Sequence, residues 1–541
     1  MIFWRVKPLD QILATAEKKS LKRQLGPIQL TLLGIGAVIG TGIFVLTAEA
    51  AQKAGPGMMV SFVIAAIVCG LAALSYAELA AMVPVSGSAY TYTYGVMGEL
   101  IAWIVGWALV LEYAIGATAV CVGWAGYVNG LLNSGVFGFV KPGALSLPHW
   151  LQVGPTLGGG FNLLAFLIGV AVTGLLVIGT SKSARVNAVL VAIKIIALTV
   201  FIVIAVPAVK NANLHPFLPT GWGNPVGSNG IGVLGAAASI FFAYVGFDAV
   251  STAAEETRNP NRNVPIGLIA ALVICTIFYL LVGYGAAGSV GAQPLTNAAG
   301  AFLDPGTSSF AAACGNSQAL VCSREPLAQV MTTLGHPRFA IMIELAAIVA
   351  LPSVILMMMF GQTRIFFTMS RDGLLPNVFS KVHPRFFTPH VITYVTGIVV
   401  SLCAALFPVG KLADTSNAGT LLAFAMVSVG VMILRRTQPG RKRPFRTPLV
   451  WIVCPLAVAG CLLLFVNLSV VAKVVFVVWA VAGLIFYRLY GYKRSQMSPE
   501  QITHALDDVV MMHTGDRVAS LWARPCWTAS SATLHAQQDT P

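Results

Sequence analysis

Twelve apolar stretches of roughly twenty residues each occupy most of this chain, and they constrain its fold more than any other feature. They run over about residues 30–51, 58–83, 98–131, 162–181, 187–208, 230–254, 264–288, 338–369, 390–408, 413–434, 450–469 and 473–490. Charged residues make up 10% of the 541, against about 25% in a soluble domain. Mean hydropathy is +0.81. Hydrocarbon, not water, is the solvent that suits such a surface. There a backbone must satisfy its own hydrogen bonds, which leaves helices as the spanning element. The sequence therefore predicts an all-α integral membrane protein with twelve transmembrane helices. The third and eighth stretches are long enough to tilt or to extend past the bilayer.

The formal charge of +14 suggests nucleic acid or acidic lipid at first sight. Its placement argues for topology instead. With the N-terminus inside, 25 of the 33 Lys and Arg fall on cytoplasmic segments, seven on outer loops and one, Lys194, within a span. This is the positive-inside bias, and an even span count then puts both termini in the cytoplasm. The basic runs can also meet anionic lipid. No cleavable signal peptide is apparent in the first 27 residues. Six cysteines lie in spans and read as small packing residues. Cys314 and Cys322 share the outer loop 289–337, where a disulfide is open to them. No metal-ligand spacing appears.

Organisation follows from these limits. Residues 1–27 read as a cytoplasmic arm, with an amphipathic helix on the inner surface as one form. Residues 28–491 read as the membrane body. The tail 492–541 turns abruptly polar, with at most one short helix near Pro499–Val510. The first and sixth spans share an anomaly. Gly34, Gly36, Gly40 and Gly42 interrupt the first where an apolar helix should be most regular, and Phe241–Asp248, with Gly246, interrupts the sixth. Glycine weakens a helix interior by roughly 1 kcal/mol relative to alanine. Irregular backbone survives at membrane depth only inside protein or along a watery cavity. Paired breaks in two halves point to inverted repeats, here about 28–208 and 230–436, around a midplane binding site. Two final helices, 450–491, lack a break and serve packing or self-association.

Particular residues give the site its chemistry. Free N–H groups at Gly40, Thr41 and Gly42 would open a following half-helix, whose positive end suits a carboxylate. Carbonyls near Phe242, Ala243 and Val245 would accept from an ammonium. An α-amino acid carries both groups. Phe242 is the leading candidate for a gate, ahead of Phe241 and Tyr244. Lys194, mid-span, is costly unless paired or hydrated, and is a candidate proton carrier or a fixed substitute for a coupling cation. Glu112 and Asp248 could hold a proton or face a cationic substrate. Glu78 and Glu344 read as structural, Glu255 and Glu256 as a cytoplasmic salt-bridge cluster, and Ser353 as a pocket-side hydroxyl. No dinucleotide or phosphate-binding loop is present, so neither an enzyme nor an ATP-driven pump is indicated.

Gly34-Ile35-Gly36-Ala37-Val38-Ile39-Gly40-Thr41-Gly42-Ile43-Phe44 resembles the first-helix signature of the amino acid–polyamine–organocation superfamily. Phe242–Asp248 with Ala254-Glu255-Glu256-Thr257-Arg258-Asn259-Pro260, and Gly361–Arg364 with Met369–Pro376, resemble its cationic amino acid transporter branch. The likeness covers about residues 20–490. It implies a five-plus-five inverted-repeat fold working by alternating access. It implies substrate carboxylate at Thr41 and Gly42, substrate amine at the carbonyls of Val38, Phe242, Ala243 and Val245, and Phe242 as gate. It implies that Lys194 replaces the sodium of sodium-coupled relatives. The expected protein is a multi-pass secondary transporter of cationic or small neutral L-amino acids in a bacterial inner membrane, proton-coupled and sodium-independent. It would need no cofactor, metal or nucleic acid; its partners are the amino acid, protons and the bilayer, and its oligomeric state is open. An exchanger without proton coupling is the rival, and a transporter-like sensor signalling through 492–541 a distant third.

Overall fold

The computed structural model describes residues 6, 7, 9, 25–495 and 497, leaving out 84–87, 135–142, 144, 180–183, 225–229, 253–256, 299, 301, 306, 316, 318 and 387. Among these residues no strand forms, and two isolated bridges, Leu25 with Thr257 and Thr296 with Phe302, extend no further. Seven helical stretches are long and apolar enough to cross a membrane, and five shorter apolar helices lie among them.

The first part of the chain runs α1 (Pro27–Val38), α2 (Thr41–Phe44), α3 (Leu46–Ala54), α4 (Met58–Met82), α5 (Ser88–Val96), α6 (Glu99–Ser134), α7 (Leu163–Ile178) and α8 (Ala184–Ala205). The second runs α9 (Gly232–Ile240), a 3-10 turn Phe241–Tyr244, α10 (Ala249–Thr252), α11 (Pro260–Val290), α12 (Pro337–Arg371), α13 (His390–Leu406) and α14 (Val409–Thr437). α15 (Val450–Val466) and α16 (Val470–Phe486) follow. α1 packs on α11, α4 on α11 and α9, and α6 on α12 and α14. Small residues bring the first pair close: a Cβ at Gly34 would meet Ala271 at 2.6 Å, and one at Gly267 would meet Leu30 at 2.8 Å.

The long helices are distorted where proline removes a donor. Pro352 lies inside α12 and cannot donate to the Ile348 carbonyl one turn earlier. The Trp124 indole N–H of α6 takes that carbonyl at 2.9 Å, so the irregularity becomes an interhelical bond. Glu78 of α4 holds Arg435 by two bonds of 2.8 Å, lies 3.3 Å from Arg443 Nε, and accepts from the Thr447 backbone N–H at 2.8 Å. That is the structural role expected of it.

α16 buries only Ala472 and Gly483 and turns Val474, Val477, Val478, Val481 and Leu484 outward. Only hydrocarbon solvates such a face well. Where α16 meets α6, Trp107 and Trp479 stack at 4.5 Å and each indole donates at 2.8 Å to the other's backbone carbonyl.

The described part of the N-terminal arm lies against the body. Lys7 pairs with Asp372 at 3.0 Å beyond the end of α12, and Leu9 is buried. The rest of 1–24, the Glu255–Glu256 cluster and the tail from 498, with its expected helix near 499–510, lie outside the described residues. Cys314 and Cys322 form a disulfide.

Candidate functional site

Both predicted breaks exist, and they touch. α1 ends at Val38; Ile39 is extended (φ −72°, ψ 97°) and so is Gly40 (φ −146°, ψ −147°) before the short helix α2 begins at Thr41. In the second break α9 tightens into the 3-10 turn, Val245 is extended (φ −61°, ψ 137°), and Gly246 takes φ +112°. An L side chain rarely adopts that φ, and a Cβ at 246 would lie 2.9 Å from the Ala37 carbonyl oxygen. A Cβ at Gly42 would overlap Ala243. Glycine at 42 and at 246 is thus what lets two interrupted backbones meet.

The donor side of the site is Thr41 and Gly42, which open α2 and have no earlier helical turn to donate to. Thr41 is 1% exposed, and its hydroxyl has no hydrogen-bond partner among the described residues. A buried hydroxyl left so costs about 1–3 kcal/mol, which a bound acceptor would recover. The acceptor side differs in detail from the expectation. The Val38 and Ala243 carbonyls each lie 2.9 Å from the Tyr279 hydroxyl of α11, whose single proton ties the two breaks together. The Phe242 carbonyl accepts from the Val245 N–H at 3.2 Å within the turn. A ligand amine would therefore share Val38 and Ala243 with Tyr279.

The aromatic residues divide by direction. Phe241 packs on Phe424 and Tyr244 on Tyr279, both as core. Phe242 is turned to α6, where its ring comes within 3.6 Å of a Cβ built on Gly116, beside Met358. Val354 of α12 faces Gly40. Phe242, Val354 and Met358 thus set apolar side chains around Gly40 and Gly116.

Lys194 is fully buried, and its Nζ donates to the Gly36 carbonyl of α1 at 2.8 Å. It therefore turns inward to the helix that leads to the first break. Asp248 is buried and accepts from Tyr113 at 2.9 Å. Glu112, next to Tyr113 on α6, is 1% exposed and lies beside the Thr420 hydroxyl of α14. Glu344 lies away from the breaks, near Gly130 of α6. Ser353 bonds to the Ala350 carbonyl of its own helix at 2.7 Å.

One assignment is corrected. Lys53, counted with the outer-loop cations, is 4% exposed inside α3. It pairs there with Glu49 and with Asp414 of α14. Glu49 and Lys53, four apart in an apolar run, were the available sign that this end of the span carries a buried ion pair. Tyr279 and Tyr113 left no sign, since a tyrosine in an apolar helix reads as packing.

The model of the family described as amino acid permease matches residues 25–489. A branched-chain amino acid permease of Bacillus subtilis is 44% identical over 92% of this chain and 99% of its own. A methylthioribose transporter of the same organism is 39% identical over the same shares. A vacuolar cationic amino acid transporter of Arabidopsis thaliana is 36% identical over 77% of this chain and 64% of its own. The chain is a multi-pass membrane protein, and it belongs to the amino acid permease family.

Proposed function

We propose that this protein is a secondary transporter that carries L-amino acids with neutral, apolar side chains across the bacterial inner membrane by alternating access, coupled to protons and independent of sodium. The observation that carries this reading is the meeting of the two breaks. Thr41 and Gly42 offer donors to a carboxylate, and Val38 and Ala243 offer acceptors to an amine. Phe242, Val354 and Met358 favour an apolar side chain and make Phe242 the gate. Asp248 is engaged by Tyr113, which argues against a fixed partner for a cationic side chain. Two relatives, from Bacillus subtilis and Lactococcus lactis, are named branched-chain amino acid permeases, which agrees with a branched-chain substrate.

In this reading twelve helices span the membrane with both termini inside, as inverted repeats 28–208 and 230–436 and two helices in 450–491. Lys194 occupies the place of a coupling cation, its ammonium on Gly36, and takes part in proton movement with Glu112. Loss of the Lys194 charge would release α1 from α8 and let the inner half swing.

Proteoliposome uptake tests the reading. The panel is labelled leucine, isoleucine, alanine, lysine, arginine and methylthioribose, with an inward proton gradient and no sodium. Gradient-driven accumulation of leucine or isoleucine is expected. Uptake only with internal substrate would make the protein an exchanger, and uptake of methylthioribose alone would refute an amino acid substrate.

A further inference from the structure

A second buried constellation lies on the far side of the breaks from Asp248. Lys53 Nζ of α3 is 3.0 Å from Glu49 Oε1 and 3.2 Å from Asp414 Oδ2. It also donates to Ser239 Oγ in the last turn of α9, and Ser239 donates to Asp414 Oδ1. Asn417, one turn beyond Asp414, donates to the Ala238 and Ser239 carbonyls at 2.7 and 3.1 Å. The outer half-helix of each break is thereby fastened to the other and to α14. Gly410 leaves room for this, because a Cβ there would fall on the Glu49 carboxylate.

The charges do not balance. Two carboxylates face one ammonium, which leaves one negative charge in excess. The neighbouring elements do not correct it: Asp304 of the outer loop adds a further negative charge near Glu49, and Lys411 of α14 acts on Asp304 rather than on the cluster. α9 and the turn Leu320–Cys322, which both pack on α3, bring no group that ionises. An uncompensated buried charge is costly, and water relieves that cost when a site opens. The closed arrangement is therefore favoured by one added proton.

We propose that Glu49, Lys53 and Asp414 form a proton-binding site that gains one proton from the outer aqueous phase as the outer half-helices close and returns it as they part. The proton adds to a Glu49 carboxyl oxygen, the more accessible acid at 10% side-chain exposure against 2% for Asp414. No bond but that O–H forms, and Lys53 stays an ammonium held by Asp414. The site needs only that the outer end opens, so it rests on the alternating-access part of the proposed function and not on the substrate.

The test is outer accessibility against pH. Ala50, 1% exposed and three residues before Lys53 on the same face of α3, becomes cysteine in protein whose free cysteines are alanine. Labelling by a membrane-impermeant maleimide in proteoliposomes is divided by that of Asn211→Cys, an exposed control. The ratio should rise several-fold as external pH goes from about 5.5 to 8, at most about tenfold per pH unit for one proton. Glu49→Gln or Asp414→Asn, each checked for folding by size exclusion, should flatten the rise. A flat ratio without either substitution, or a rise that survives both, overturns the proposal. Labelling needs no substrate, so pH-dependent labelling without amino acid uptake would remove the transport reading and leave this site standing.

Discussion

Single side chains decide what the breaks can bind. Thr41 is buried with an unanswered hydroxyl, so Thr41→Val should raise KM for the amino acid about tenfold, the worth of one hydrogen bond to a charged group, while Thr41→Ser stays near the original value. Uptake kinetics in proteoliposomes check both. Lys194 is a different kind of residue. Its side chain reaches a backbone carbonyl of the helix that leads into the first break. Lys194→Ala should leave folded protein whose uptake varies less steeply with pH, through the Glu49 site alone. A pH profile unchanged in that variant excludes Lys194 as a proton carrier.

At the scale of elements, the two interrupted helices work as one unit because α11 bridges them. Tyr279 reaches the last carbonyl of α1 and the Ala243 carbonyl of the 3-10 turn. Tyr279→Phe keeps the ring packed on Tyr244 but drops this bridge. Maximal uptake should fall several-fold, with stability lower by about 1 kcal/mol. Unchanged turnover would show that the breaks hold their geometry without the bridge. Pro352 shows the same economy in α12, where a lost helical bond reappears as the Trp124 contact with α6.

For the whole molecule, two ionic clusters far apart in the chain tie the bundle together. Glu78 gathers Arg435, Arg443 and the Thr447 backbone, joining α4 to α14 and to the segment leading into α15. Removing it leaves Arg435 without its carboxylate partner, while Arg443 keeps the carbonyls of Leu434, Gln438, Pro439 and Arg441. Glu78→Ala should therefore cost about 3–5 kcal/mol, read as a lower thermal midpoint in detergent, with Glu78→Gln recovering part of the loss. Glu49, Lys53 and Asp414 join α3 and α14 among apolar helices.

Composition and the length of the apolar runs determined that this chain is helical and lives in a membrane, because hydrocarbon admits few other solutions. The glycines at 34–42 and at 246 marked both breaks, because glycine is the residue that interrupted backbone at close approach requires. Lys194 and Glu112 were legible as costly residues at depth. What no linear pattern carried was partnership. Lys53 reads as a loop cation until α3 is seen beside α14, and Tyr279 as packing until two carbonyls converge on its hydroxyl. Asp248 reads as free to meet a cationic substrate until Tyr113 is found on it. Spacing along one helix shows which face a group occupies. Whether that face meets lipid, water or an opposite charge depends on residues hundreds of positions away, and only the packed bundle decides it.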